Sequence, residues 1–106
     1  MDDELQRLRR EIDHVDESLI ELLARRASLT RQVGDVKRDL GRPLVDPTRE
    51  AELFRARRDR ARQRGVAPDL IEDVLRRTIR DSYAAQEERF GSTGPLDRPV
   101  DRKSVV

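Results

Sequence analysis

Apolar residues recur at alternating spacings of three and four through the first third of the chain. The members of this series are Leu5, Leu8, Ile12, Val15, Leu19, Leu22, Leu29, Val33, Val36 and Leu40. The pattern predicts one amphipathic helix of about 35 residues, about 52 Å long at ~1.5 Å per residue. The position that the series leaves polar is 26, where an arginine, Arg26, stands on the seam of the helix.

Turn-forming residues predict where the first helix ends and a second one begins. The stretch 41–43, Gly-Arg-Pro, stops the first helix. Asp46 is a suitable N-cap and Pro47 suits the first helical position. The second helix is expected to run to about Arg64, where Gly65 terminates it.

A third helix is predicted from Pro68 to about Arg89. Its apolar residues are Leu70, Ile71, Val74, Leu75 and Ile79. From Gly91 the sequence GSTGPLDRPVDRKSVV has no helical period, so it is interpreted as a flexible tail. The predicted organisation is therefore a helical domain at 1–90 followed by a tail at 91–106.

The length of the first helix indicates a partner chain. Two shorter helices of the same chain cannot cover an apolar stripe about 52 Å long. An antiparallel pairing of two long helices would cover it. The predicted fold is therefore all-α, with three helices per chain in an interlocked antiparallel homodimer.

Composition narrows the range of functions. The 106 residues include no Cys and one His, which argues against disulfides and the usual zinc sites, so no metal and no cofactor are expected. Charged residues make up 42% of the chain but sum to a net charge of +1, which does not favour nucleic acid as a partner. The charged N-terminus and the lack of a long apolar run predict no membrane association and a cytoplasmic location.

Two cations lie on the apolar side of the first helix. At 100° per residue, Lys37 lies about 20° around the helix from Arg26 and about 16 Å along its axis. Of 23 basic residues only Lys37 and Lys103 are lysine, which suggests that a compact ammonium is needed at position 37. The gap between the two cations fits a small molecule.

The other two helices also place polar groups on their apolar faces. Ser82 and Gln86 continue the stripe of the third helix, and Glu50 precedes an apolar pair on the second. Each residue alone has an ordinary structural explanation, as a register device, a dipole partner or a solvated group. Buried together without a ligand they would cost several kcal/mol, so a bound small dianion explains them jointly.

Further arginines divide into two groups. Arg9 lies about 25 Å along the helix from Arg26, so it could reach such a pocket only in the partner chain of an antiparallel dimer. Arg25 and the arginine-rich run at 55–65 are assigned to solvated faces, with nucleic-acid contact as the second interpretation of the run. The predicted pocket contains no activated nucleophile, so it can bind, orient and stabilise charge, which suits a unimolecular rearrangement.

These residues make the chain resemble the AroQ-class, all-helical chorismate mutases. The resemblance is carried by LRREIDHVDESLIELLARRASLTRQVGDVK, GRPLVDPTREAEL and DLIEDVLRRTIRDSYAAQ, and covers residues 5 to about 88. The matching site positions are Arg9, Arg26, Lys37, Asp46, Arg49, Glu50, Ser82 and Gln86. The resemblance implies the three-helix dimer and the conversion of chorismate to prephenate in aromatic amino-acid biosynthesis.

The resemblance also implies a role for each of these residues. Arg26, and Arg9 from the partner chain, would hold the two substrate carboxylates, with help from Ser82 and Arg49. Glu50 and the backbone around Asp46 would bind the ring hydroxyl. Lys37 and Gln86 would donate to the ether oxygen. Some relatives have Glu in place of Gln86, so this chain is expected to keep its activity above neutral pH.

Three alternatives remain open from the sequence. The chain most resembles the mutase portion of bifunctional mutase–prephenate dehydrogenases, but its 106 residues contain no Gly-rich nucleotide-binding motif, so no dehydrogenase is expected within them. Whether the chain is a fragment of such a protein, a variant or a free-standing enzyme stays open. An isochorismate pyruvate lyase has the same fold but an apolar pattern around Asp46 and Glu50. A non-enzymatic helical dimer, acting as scaffold or sensor, would tolerate alanine at the polar positions.

Overall fold

The computed structural model describes residues 2–90, and the side chains of residues 2–88. Three helices follow one another: α1 (Asp2–Asp39), α2 (Pro47–Gln63) and α3 (Pro68–Phe90). The described part of the chain has no strand, so the predicted all-α class is confirmed. The predicted flexible tail at 91–106 lies outside the described residues.

The helix boundaries follow the turn-forming residues of the sequence. α1 ends before Gly41, which has a φ of 69°, and Gly65 has a φ of 76° after the end of α2. Glycine reaches this left-handed region without the steric cost that a Cβ would add. The Asp46 carboxylate accepts a hydrogen bond of 3.1 Å from the backbone N–H of Arg49, and Pro47 follows it as the first helical residue. The predicted cap and helix starts are confirmed.

The core lies where α2 packs on α3. Leu53, Phe54 and Ile79 are buried there, with Leu75 and Tyr83 packed against them. The core is small because one chain of three helices has little interior, and its burial gives α3 a fixed orientation. This orientation turns the Ser82 and Gln86 side of α3 towards α1.

One residue of the arginine-rich run also joins α2 to α3, which corrects the assignment of the whole run to solvated faces. The Arg58 guanidinium donates to the carboxylates of Asp69 (2.8 Å) and Glu72 (2.9 Å). Arg76 contacts Glu72 and lies 4.3 Å above the centre of the Phe54 ring. These carboxylates raise the pKa of Arg58 through their hydrogen bonds. The other arginines of the run are exposed.

Most of α1 projects beyond the other two helices. Every residue from Asp2 to Arg25 is exposed, including six large apolar residues of the predicted seam. These are Leu5, Leu8, Ile12, Val15, Leu19 and Leu22. The molecule is accordingly elongated, with extents of 60 × 26 × 26 Å. The partly or fully buried residues of α1 begin at Arg26, so the last third of this helix is the part that packs most closely on the rest of the chain.

Candidate active site

A cavity of about 180 Å³ lies where α1, α2 and α3 meet. Six of the eight residues that the sequence analysis selected line it: Arg26, Lys37, Arg49, Glu50, Ser82 and Gln86. Three helices therefore bring cations, a carboxylate, a hydroxyl and an amide to one small space. Apolar groups, among them Leu53 and Ile79, form the rest of its wall.

The two remaining predicted residues lie elsewhere. Arg9 is exposed on the projecting part of α1 and does not line the cavity. The Asp46 carboxylate is occupied as the N-cap of α2. Asp46 nevertheless lies close to the Tyr83 hydroxyl: burial and Glu50 raise the pKa of Tyr83, and the Asp46 backbone partly offsets that rise. Within one chain the structure thus assembles the site without Arg9 and with Asp46 at its margin.

Arg26 carries an unpaired positive charge in this cavity. Its Nη1 atom is buried and has no hydrogen-bond partner among the described residues. Burial lowers the pKa of Arg26, and the nearby cations of Arg57 and then Arg49 lower it further. A desolvated guanidinium beside two other cations is unfavourable until an anion joins it. The electrostatics of the cavity therefore favour a negatively charged ligand.

Lys37 of α1 is held by the segment that connects α1 to α2. Its Nζ atom donates a hydrogen bond of 2.8 Å to the backbone carbonyl of Leu44, in the connection between α1 and α2. An ammonium has three N–H donors, so this bond fixes the position of the group and leaves donors for a ligand. The predicted single-atom contact of Lys37 is compatible with this geometry.

Glu50 is oriented by Tyr83, a residue that the sequence analysis did not select. The Tyr83 hydroxyl donates to Glu50 Oε2. Burial raises the pKa of Tyr83, and the hydrogen bond to Glu50 raises it further, so the phenol keeps its proton. The carboxylate is thereby fixed with its second oxygen available as an acceptor for a ligand hydroxyl.

Gln86 is the most deeply buried polar residue described, with 3% of its surface exposed. Its Nε2 atom donates a hydrogen bond of 2.9 Å to the backbone carbonyl of Thr30, whereas its Oε1 atom is buried without a partner. Gly34 makes room for this amide, because a Cβ at position 34 would overlap it. Gln86 therefore reaches the cavity in one orientation, with its second N–H free to donate.

Thr30 and Gly34 were missed by the sequence analysis, although a signal for them exists. Arg26, Thr30, Gly34 and Lys37 follow one another at spacings of four, four and three, so they share one face of α1. A small polar residue and a glycine between two cations on an otherwise apolar face indicate a place where another helix approaches closely. Tyr83 gave no comparable signal, since an aromatic residue on α3 is expected to pack in the hydrophobic core.

Replacing Gly34 by alanine is expected to displace the Gln86 amide and lower the free energy of unfolding by about 1 kcal/mol, because the hydrogen bond to Thr30 is lost. Guanidinium chloride unfolding measures this cost. In a Gln86→Ala background the same replacement is expected to be neutral or stabilising, because alanine favours the helix and nothing is displaced. An equal cost in both backgrounds would contradict the described contact.

Metal sites and membrane-spanning helices are both absent from the described residues. Among residues 2–90, no three His, Asp or Glu side chains lie close enough together to hold a metal ion. In the same part of the chain, no helix combines the length and the apolar character needed to cross a membrane.

The cavity residues lie within the part of the chain that is similar to known proteins. The family described as Chorismate mutase type II matches residues 8–87. A T-protein of Enterobacter agglomerans is 48% identical over 98 residues, which cover 92% of this chain and 26% of that protein. A T-protein of Haemophilus influenzae is 51% identical over 87 residues, which cover 82% of this chain and 23% of that protein.

A shorter relative matches over nearly its whole length. The chorismate mutase of Methanocaldococcus jannaschii is 28% identical over 93 residues, which cover 88% of this chain and 94% of that protein. The chain thus spans about a quarter of the length of the two T-proteins and nearly all of this smaller relative. No solved structure matches the chain significantly.

Proposed function

Because the chain belongs to the type II chorismate mutase family, we propose that it catalyses the Claisen rearrangement of chorismate to prephenate in aromatic amino-acid biosynthesis. The observation that carries this proposal is the unpaired, buried Nη1 atom of Arg26 in a cavity shared with Lys37, Glu50 and Gln86. Chorismate is a compact dicarboxylate with a ring hydroxyl and an ether oxygen. In this proposal Arg26 binds one carboxylate, Glu50 the ring hydroxyl, and Lys37 and Gln86 the ether oxygen, and the second carboxylate is bound by a residue of the partner chain.

The proposed roles divide between binding and charge stabilisation. Arg26 binds one substrate carboxylate with Ser82, and Arg49 supports it electrostatically from α2. Glu50, held by Tyr83, accepts from the ring hydroxyl next to the Asp46 backbone. These contacts hold the substrate in the conformer in which the two carbon termini meet, which removes much of the entropic part of the barrier.

Lys37 and Gln86 are the proposed electrostatic catalysts. The ether C–O bond breaks as the new C–C bond forms, and negative charge develops on the ether oxygen in the transition state. Two fixed N–H donors aimed at that oxygen stabilise the transition state more than the ground state. In this mechanism the protein forms no covalent bond to the substrate, so none of the side chains that line the cavity has to act as a nucleophile.

Turnover of chorismate by the purified chain tests the proposed reaction. We expect loss of chorismate absorbance with prephenate as the product, identified by NMR spectroscopy. The rate should stay level between about pH 7 and about pH 8.5, because the Gln86 amide donates without a titrating proton. A Gln86→Glu variant should lose activity as the pH rises, because only its protonated carboxyl can donate. Pyruvate release from isochorismate, without chorismate turnover, would support the lyase instead.

The proposed active form is an interlocked antiparallel homodimer. The apolar stripe of α1 from Leu5 to Leu22 is exposed in a single chain, and antiparallel pairing of two α1 helices would bury it. The same pairing would bring Arg9 of the partner to the cavity, where it would bind the second substrate carboxylate. The cytoplasmic location expected from the sequence stays a prediction.

Mixing two inactive variants tests this shared site. Arg9→Ala and Lys37→Ala are each expected to lose nearly all activity as pure dimers. Unfolded and refolded together in equal amounts, they should regain about a quarter of wild-type activity, since half of the random dimers are mixed and each has one intact site of two. Activity that does not rise above the sum of the two variants would contradict a site built from both chains.

A further inference from the structure

Thr30 joins both polar groups of α3 to α1. Its backbone carbonyl accepts the 2.9 Å hydrogen bond from Gln86 Nε2. Its hydroxyl Oγ1 lies 3.2 Å from Ser82 Oγ and 3.0 Å from the backbone carbonyl of Ala27, to which it donates. Thr30 also lines the cavity, one helical turn beyond Arg26. Thr30 therefore contacts both Ser82 and Gln86 and helps to position them against α1.

The protons of these two hydroxyls can be assigned from their partners. A hydroxyl has one proton to donate and two lone pairs to accept with. When Thr30 donates to the Ala27 carbonyl, its Oγ1 can only accept from Ser82. The Ser82 proton is then directed at Thr30, and the Ser82 lone pairs face the cavity. In this arrangement Ser82 presents an acceptor, which is the wrong polarity for binding a carboxylate.

We propose that Thr30 is a positioning residue whose hydroxyl reverses its hydrogen bond when an anion binds. Ser82 turns its proton to the substrate carboxylate, and Thr30 turns its proton from the Ala27 carbonyl to Ser82 Oγ. Each proton stays on its own oxygen, so no bond is formed or broken. The inference rests on the proposed function, because the carboxylate of the substrate creates the demand for a donor.

The reversal leaves no polar group without a partner. The Ala27 carbonyl lies within α1 and keeps its helical hydrogen bond when Thr30 turns away. Ser82 gains an acceptor bond from Thr30 while donating to the substrate, and such a chain of hydrogen bonds strengthens the donation. Without the Thr30 hydroxyl, Ser82 has to donate alone, with its lone pair unsatisfied on the side facing α1.

We expect the loss of the Thr30 hydroxyl to change KM for chorismate and to leave kcat nearly unchanged. A carboxylate keeps its negative charge throughout the rearrangement, so the hydrogen bond from Ser82 is about equally strong in the ground state and the transition state, and weakening it raises KM with little change in kcat. Gln86 is held by the backbone carbonyl of Thr30, which a side-chain substitution does not remove. A role in general stability would instead lower the melting temperature and the fraction of active protein.

Four variants test this inference: Thr30→Val, Thr30→Ser, Ser82→Ala and the double variant Thr30→Val/Ser82→Ala. Valine keeps the shape of threonine without its hydroxyl, and we expect it to raise KM for chorismate roughly two- to tenfold with little change in kcat. Serine keeps the hydroxyl and should restore the wild-type KM. In the Ser82→Ala background, Thr30→Val should have no further effect on KM. Thr30→Ala, which adds no new contact, is the second test if the valine variant folds poorly.

The outcomes separate this inference from the proposed function. If the wild type converts chorismate and Thr30→Val has an unchanged KM, the Thr30 inference is overturned and the function stands. A KM effect of Thr30→Val that persists in the Ser82→Ala background would likewise overturn it. If the folded wild type does not convert chorismate, the proposed function fails and the Thr30 inference fails with it.

Discussion

Replacing Lys37 by alanine is expected to lower kcat for chorismate by about 10²–10³-fold, the usual cost of removing one donor to a developing negative charge. The Leu44 carbonyl fixes the ammonium at the cavity wall in the free protein, so its position requires no reorganisation during the reaction. KM should change less than kcat, because the ether oxygen is only weakly charged in the bound substrate. Steady-state kinetics with chorismate measure both constants.

Arg38→Ala provides the matched control for Lys37. Arg38 is the neighbouring cation on α1, is exposed, and contacts the Asp39 carboxylate at 3.9 Å. Its removal changes the net charge by the same amount without touching the cavity, so kcat should stay close to the wild-type value. The melting temperatures of both variants monitor the contribution of the Lys37–Leu44 hydrogen bond to the fold. A kcat for Lys37→Ala within about fivefold of the wild type would contradict its catalytic role.

The helices of this chain could be predicted because their signals are local. The helix boundaries are marked by the backbone preferences of two glycines and two prolines, Gly41, Gly65, Pro47 and Pro68. The side chain of Asp46 adds a local cap, and none of these signals depends on the rest of the fold. The three-and-four spacing of α1 likewise depends only on helix geometry. The family match at 8–87 also agrees with the predicted resemblance.

The site could be predicted only in part, because its residues differ in how much of their role is visible on one helix. Arg26 and Lys37 interrupt an apolar face, so periodicity reveals them. Tyr83 acts through the carboxylate of Glu50 on another helix, and Thr30 through Ser82 and a backbone carbonyl. Such contacts depend on how the helices pack, which no spacing within a single helix encodes.

Arg58 illustrates the same limit outside the site. Within the sequence it is one arginine of a charged run, and a solvated position is the natural expectation. Its partners Asp69 and Glu72 lie on the next helix, and only the packing of α2 on α3 brings them within hydrogen-bond distance. The homodimer stays a prediction, because it is inferred from the exposed apolar stripe of α1 and the structure describes a single chain.

The most direct test of the central claim is a single substitution, Arg26→Leu, measured for activity and for stability. Leucine is the residue that the apolar series of α1 would place at position 26, so it restores the seam and removes a half-buried cation whose Nη1 atom has no hydrogen-bond partner. If Arg26 is a substrate receptor, kcat/KM for chorismate should fall by at least about 10²-fold, the loss of two charge-assisted hydrogen bonds. The melting temperature should at the same time stay equal or rise, because a half-buried cation without an anionic partner is replaced by an apolar side chain that completes the seam. A variant that melts lower and keeps its kcat/KM would contradict the account, because Arg26 would then be a structural residue of the helix seam.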